Sequence, residues 1–403
     1  MFATLGILVL FACVAATALC IILLDRKWKI HLWFPGYAAQ AIARRRRPRA
    51  SGPIDVMFCF VDHFEPGWHR PDFATERRRV ATWVERYPKS CAGIKDADGC
   101  SPKHTFFYPE EEYAPEHLDD LVGLCRGGYG EIEVHLHHDR DTSEGLKLKL
   151  RRFINILTER HQALSIWPDS GRPAWGFIHG NWALDNSRPD GRWCGVNDEI
   201  SILAEEGCYA DFTFPSAPDS TQPRMVNRIY YALDDRERPR SHDSGRLVRV
   251  GDPGREGLLM INGPLGIRLG RRGRWPIPRL ENADLRQNNP PSRERVDAWL
   301  KAAVAVEGRP EWRFIKIHTH GTQDGDMETL LGEKISAMYL DLAERFNDGK
   351  RFRLHFVCAR EAFNIVKAAQ AGERGDPGRF RDFILPPPRF MSRANVSTAV
   401  LQR

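Results

Sequence analysis

From Pro53 onward, short apolar runs alternate with amphipathic, charged runs, and this alternation constrains the chain more than any other feature. Runs rich in β-branched and aromatic residues, separated by helical patterns, read as β/α units whose strands pair in parallel under covering helices. Strands are expected over 55–61, 103–108, 131–137, 174–179, 209–214, 258–262, 313–318 and 352–357. Helices are expected over 76–87, 115–125, 143–164, 197–206, 293–306, 327–347 and 359–371. No internal repeat is evident. The stretch 221–291, rich in Arg, Gly and Pro, reads as an insertion around one or two strands, and 372–403, with Leu385-Pro-Pro-Pro388, as a loose tail. One α/β domain over 53–371 follows.

With 403 residues, 42% apolar and 28% charged, the chain can bury one large core or two ordinary ones, which excludes a disordered polymer. The net charge of +6 invites a nucleic-acid partner, but Arg44 to Arg47 and Arg49 form a block of their own with no nucleic-acid motif beside it, so none is expected. Residues 2–24 carry no charge, close to the ~20 residues that span a ~30 Å hydrocarbon layer. Without a basic segment before them they read as an uncleaved transmembrane helix over 1–25, in preference to a signal peptide. Arg26, Lys27 and Lys29, the arginine block, and Trp28, Trp33 and Tyr37 as an interfacial belt then make 26–52 a basic juxtamembrane linker that would attract anionic headgroups. The expectation is a single-pass membrane protein with its soluble domain in the cytoplasm, a periplasmic domain being the alternative. Cys13 and Cys20 fall in the span, and the other cysteines, without zinc-finger spacing, read as free buried thiols. A Cys91–Cys100 disulfide belongs to the periplasmic alternative.

Polar residues gather where these strands end, as they do at the sites of α/β folds. In Glu131-Ile-Glu-Val-His-Leu-His-His-Asp139 the apolar Ile132, Val134 and Leu136 alternate with His135 and His137, which puts imidazoles on one strand face. Nitrogen and oxygen donors this close suit zinc or a similar divalent ion; the alternative is a solvated strand end. The first strand ends in Asp62, His63 and Glu65, the fourth in His179-Gly-Asn181-Trp182 with Asp185 nearby, and the seventh in His318-Thr-His320-Gly321. A lone histidine at a strand end is usually structural. Four such ends are not explained by packing, because desolvating that many polar side chains without a ligand or partner costs kilocalories each.

In their order these motifs resemble the polysaccharide deacetylases of carbohydrate esterase family 4, whose fold is a distorted (β/α) barrel. Phe60-Val-Asp62-His63 stands where that family has two aspartates, and Thr105-Phe106-Phe107 matches its Thr-Phe-Phe strand. Glu131-Ile132-Glu133-Val134-His135 fits its metal-binding strand, with Asp139 where a second histidine is usual. Gly207-Cys208-Tyr209-Ala210-Asp211 resembles a later Gly-Tyr, and Ile315-Lys-Ile-His318 the last catalytic strand. The resemblance covers about Asp55 to Val366. It departs from the family at His63, at Asp139 and in lacking a clear Arg-Pro-Pro-Tyr segment, near whose place His179-Gly-Asn-Trp182 sits, so it implies a divergent branch. Relatives of that kind act in exopolysaccharide and lipopolysaccharide assembly.

What the resemblance implies is a metal-dependent hydrolase removing N-acetyl groups from a glycan or lipid-linked sugar. His63, His135 and Asp139, with His137 as substitute, would hold a divalent metal, most simply zinc, which polarises the acetyl carbonyl and lowers the pKa of bound water from ~15.7 toward ~7. Asp62 would be the base and His318 the acid. His179, Asn181, Trp182, His320 and Trp68 would contact the carbohydrate, the tryptophans by stacking. Two alternatives stand beside this: a glycoside hydrolase using a pair among Asp62, Glu65, Asp139 and Asp185, and a catalytically silent glycan-binding assembly protein.

Overall fold

The computed structural model describes residues 2–46, 52–254, 256–272 and 274–391, with side chains from residue 13 onward apart from 16, 271, 272 and 391. Its strands are β1 (Ile54–His63), β2 (His104–Pro109), β3 (Gly130–Leu136), β4 (Ser165–Ile166), β5 (Pro173–His179), β6 (Cys208–Asp211), β7 (Ile229–Ala232), β8 (Arg246–Leu247), β9 (Leu258–Ile261), β10 (Gly266–Arg272), β11 (Trp275–Glu281), β12 (Trp312–Thr319) and β13 (Phe352–Val357). Its helices are α1 (Phe2–Trp28), α2 (Ile30–Arg46), α3 (Phe73–Ser90), α4 (Pro115–Leu124), α5 (Ser143–Asn155), α6 (Glu199–Glu205), α7 (Arg293–Ala302), α8 (Asp324–Leu330), α9 (Glu333–Phe346) and α10 (Ala359–Ala371). All eight expected strands are present. The helix expected over 327–347 is two, broken at Gly332, whose backbone is extended where it caps α9.

Eleven strands form one sheet in the order β12-β1-β2-β3-β5-β6-β9-β7-β8. The run from β12 to β9 is parallel, β7 and β8 extend it antiparallel, β13 pairs the first half of β1, and β4 pairs β5. Among the described residues no ladder joins the two ends, so the sheet is not a closed barrel. The insertion proves richer than expected, supplying β7 to β9 and a separate β10–β11 hairpin.

Strand alternation sorts the core into two faces. Outward-facing Phe58, Phe60, Phe106, Val134 and Phe177 pack under α3 to α9, as Val80, Trp83 and Tyr87 of α3 show by their helical spacing. Inward-facing Met57, Cys59, Val61, Phe107, Ile178 and Phe314 meet the apolar face of α10. The central strands are buried on both faces, which is why they read as near-continuous apolar runs.

The membrane expectation is overturned: among the described residues no helix is long and apolar enough to cross a membrane. The cytoplasmic assignment built on that span falls with it. Nor is 30–46 a linker. It forms α2, whose Trp33 is fully buried against Ala217, Val226 and Leu265, while Gln40 Nε2 donates to the Ala302 carbonyl at 2.9 Å. Gly36 permits the approach, since a Cβ there would lie 1.9 Å from the Arg224 carbonyl oxygen. Arg47, Arg49 and the tail from 392 lie outside the described residues. Before 392 the tail is packed: Leu385 is buried and its N–H donates to Asn364 Oδ1 at 2.9 Å. All nine cysteines are free, Cys91 and Cys100 included.

Candidate metal centre

At the C-terminal ends of β1 and β3 the inward faces bring three donors together. His63 ends β1, Glu65 follows two residues later, and His135 lies near the end of β3; one ligating atom of each lies within 4.8 Å of the other two. All three side chains are buried. His135 Nδ1 donates to the Ile178 carbonyl at 2.7 Å, which leaves Nε2 unprotonated, 3.3 Å from Glu65 Oε1 and aimed at the shared space. A hydrogen bond of this kind fixes the tautomer of a metal-ligating histidine. His63 Nε2 and Glu65 Oε2 are buried and have no hydrogen-bond partner in the protein. Leaving such atoms unsatisfied costs roughly 1–3 kcal/mol each, so the pair fits a bound ion.

The walls complete the site. His137, about a quarter exposed, directs Nε2 to Glu65 Oε1 at 3.1 Å while its Nδ1 is held by Glu111. His320 stacks on His63 with centroids 4.5 Å apart, and Arg286 donates to its Nδ1 at 3.1 Å, so Nε2 carries the proton. Trp182 lies 6.0 Å from His63 and 5.8 Å from His320, and Trp68 lies 6.3 Å from His320, ring centre to ring centre. Both tryptophans are half-buried and flank the opening.

Charge follows from this packing. Burial and the neighbouring imidazoles of His320 and His135 hold His63 well below the usual histidine range. Burial, aided by Arg286 and against Glu65, holds His320 to about 3. Burial would raise Glu65, but the His135 and His137 imidazoles around it outweigh this and keep it ionised. Burial would lower His137, but Glu111 and Glu65 reverse that and push it up to about 10. His63 and Glu65 are thus in the deprotonated states that a metal requires.

Neither a protein-family model nor a curated protein matches this chain. Its chemistry is carried by the donor set alone.

Several expected site residues are elsewhere. Asp139 is exposed, with Oδ1 accepting from the Trp193 backbone N–H, because β3 ends at Leu136 and the chain then turns outward; Glu65 provides the carboxylate instead. Asp62 precedes His63 on the strand and so faces the opposite side, where its carboxylate accepts from His104 Nε2 at 2.8 Å and from the Gly321 N–H at 2.6 Å. There it braces the turn after β12 and cannot serve as the base. His318 is buried deeper along β12 than His320, 3.9 Å from Asp284 Oδ1, and burial together with Lys316 holds it well below the usual histidine range. An imidazole in that state is a poor proton donor near neutrality. His179 points outward toward α6, away from the opening. Asn181 is half-buried at the rim in a left-handed conformation, φ 56°. Asp185 is buried and accepts from the Ser241 N–H at 2.6 Å, so Asp62, Glu65, Asp139 and Asp185 form no facing pair for glycoside cleavage.

Sequence reasoning missed Glu65 as a ligand, Glu111 and Arg286. The signal for Glu65 was present, since it alternates with His63. Arg286 comes from the insertion, and nothing local marks it.

Proposed function

We propose that this chain is a metal-dependent hydrolase that removes N-acetyl groups from a glycan, on a divergent, open form of the deacetylase-type (β/α) barrel. The observation that carries the reading is the buried His63–Glu65–His135 set, with two unpartnered ligating atoms, opening between Trp68 and Trp182. Two imidazoles and one carboxylate are a donor set for zinc with a position left open, and zinc held there would supply Lewis-acid polarisation and a water acidic enough to ionise near neutrality.

The remaining groups divide the work. His137, oriented by Glu111 and kept protonated by Glu111 and Glu65, donates its proton to the leaving amine in place of His318, and the water that zinc would make acidic releases its own proton to solvent, so that Asp62 is not needed as the base. His320 offers its Nε2–H to the oxygen on which negative charge develops, with Arg286 fixing that tautomer. Trp68 and Trp182 present apolar faces for sugar rings, and Asn181 a polar side chain at the rim.

Acetate release from N-acetylglucosamine oligosaccharides by the full chain is the test. Activity should fall on chelation, return with zinc, and drop about 10²–10⁴-fold in His137→Gln. Metal and oligosaccharide binding without acetate release by the wild type would overturn the hydrolase in favour of the glycan-binding role.

A further inference from the structure

On the opposite side of the sheet, beneath α6, lies a second group of ligand-type side chains that the proposed reaction does not use. We propose that His138, His179, Cys194 and Glu199 form a closed, four-ligand structural zinc site. His138 follows β3, His179 ends β5, Cys194 belongs to the loop 180–198, and Glu199 begins α6, so the group ties together four parts of the chain. All four residues are buried, and one ligating atom of each lies within 4.8 Å of the others.

The separations fit an ion. Zinc bonds of ~2.0–2.3 Å at tetrahedral angles place neighbouring donors roughly 3.3–3.8 Å apart. Here His138 Nε2 and His179 Nε2 lie 3.1 and 3.6 Å from Glu199 Oε1, and Cys194 Sγ lies 3.3 Å from Glu199 Oε2. The outer atoms are arranged to match. His138 Nδ1 lies 3.3 Å from Asp141 Oδ2 and His179 Nδ1 is held by the Gly180 carbonyl, so both histidines turn Nε2 inward. The N–H groups of Asn186 and Val196 point at Cys194 Sγ at 3.3 and 3.4 Å, donors that favour a thiolate.

Without an ion the cluster is only partly explained. A His138–Glu199 ion pair and a hydrogen bond from the Cys194 thiol to Glu199 Oε2 account for three of its members, but His179 Nε2, fully buried, is left with no hydrogen-bond partner. A metal satisfies it and the thiolate together. Four protein donors leave no position for water, which marks a structural site and separates it from the open site on the other face.

The site also lies on a loop with a constrained backbone. Between β5 and α6, Asn181, Trp182, Asp185, Asn186 and Trp193 all have left-handed backbones, with φ between 50° and 69°. Conformations of this kind persist in non-glycine residues only where the surroundings impose them. His179 and Cys194 bracket the segment, and Trp182 lies within it, so the zinc would fix one wall of the opposite site.

Cobalt substitution of the full chain tests the proposal, because a cysteine thiolate on cobalt gives a sulfur-to-metal charge-transfer absorption in the near ultraviolet that nitrogen and oxygen donors do not. The band is expected in the wild type and in His135→Ala, and its loss in Cys194→Ser, with zinc content lower by one equivalent per chain in Cys194→Ser and in Glu199→Gln. Metal-loaded wild type without the band overturns the proposal, whether or not the variants fold; so does a band that survives in Cys194→Ser. A wild type that binds a single equivalent and shows the band would instead refute the open His63–Glu65–His135 site and leave this one standing.

Discussion

The assignment of Glu65 as the carboxylate ligand is the most exposed step, and Glu65→Gln tests it with little change in shape. The glutamine keeps the length and one acceptor oxygen of a side chain that is 2% exposed, but removes the charge lying 3.3 Å from His135 Nε2 and 3.1 Å from His137 Nε2. Closed four-ligand zinc sites bind with apparent free energies of about 10–16 kcal/mol, hence about 2.5–4 kcal/mol per ligand. At a factor of ten per ~1.4 kcal/mol, losing one ligand weakens binding roughly 10²–10³-fold. The retained amide oxygen places Glu65→Gln at the lower end. Competition with a chromogenic chelator at pH 7 measures this, and the step to follow is the one that His135→Ala also shifts. Asp139→Asn, which alters an exposed acceptor of a backbone N–H, should leave that step unchanged. Wild-type affinity in Glu65→Gln, or a tenfold loss in Asp139→Asn, would refute the ligand set.

Asp62→Ala removes the acceptor of two buried donors, His104 Nε2 and the Gly321 N–H, at about 1–3 kcal/mol each. Denaturant unfolding should show a loss of about 2–6 kcal/mol with metal content retained, and metal loss at full stability would restore Asp62 to the site. His355 lies buried 2.8 Å from Asp98 and 3.2 Å from Asp55; burial would lower its pKa, but these carboxylates outweigh that and raise it from 6.5 to about 9. Because the folded value is the higher one, the stabilisation is complete below pH 6.5 and is lost as the pH rises through about 9. At ~1.36 kcal/mol per unit it amounts to about 3 kcal/mol. His355→Gln should be less stable than the wild type by about 2–3 kcal/mol at pH 6 and by much less at pH 9.5, and an equal deficit at both pH values would refute the linkage.

What the amino-acid sequence determined by itself is local. The alternation of β-branched and aromatic runs with amphipathic ones placed every strand of the central parallel run, because a strand buried on both faces must be apolar along its length. It also placed His63, His135 and His320 at strand ends. Only the tertiary structure decided what those residues face. Asp62 and His63 are neighbours in sequence, yet one braces the Gly321 turn and the other enters the metal site, since successive side chains of a strand point to opposite faces. Asp139 is close to His135 in sequence but beyond the end of β3, so the chain turns it into solvent while Glu65, just past the end of β1, takes its place. Residues 30–46 look like a basic linker until the insertion provides the surface that buries Trp33. His138 and His179 meet Cys194 and Glu199 only because the loop after β5 folds back over the outer face of the sheet. Periodicity is set by the backbone geometry of a few consecutive residues, whereas a ligand set is closed by strands and loops far apart in the chain, and their register is fixed by the packing of the whole sheet.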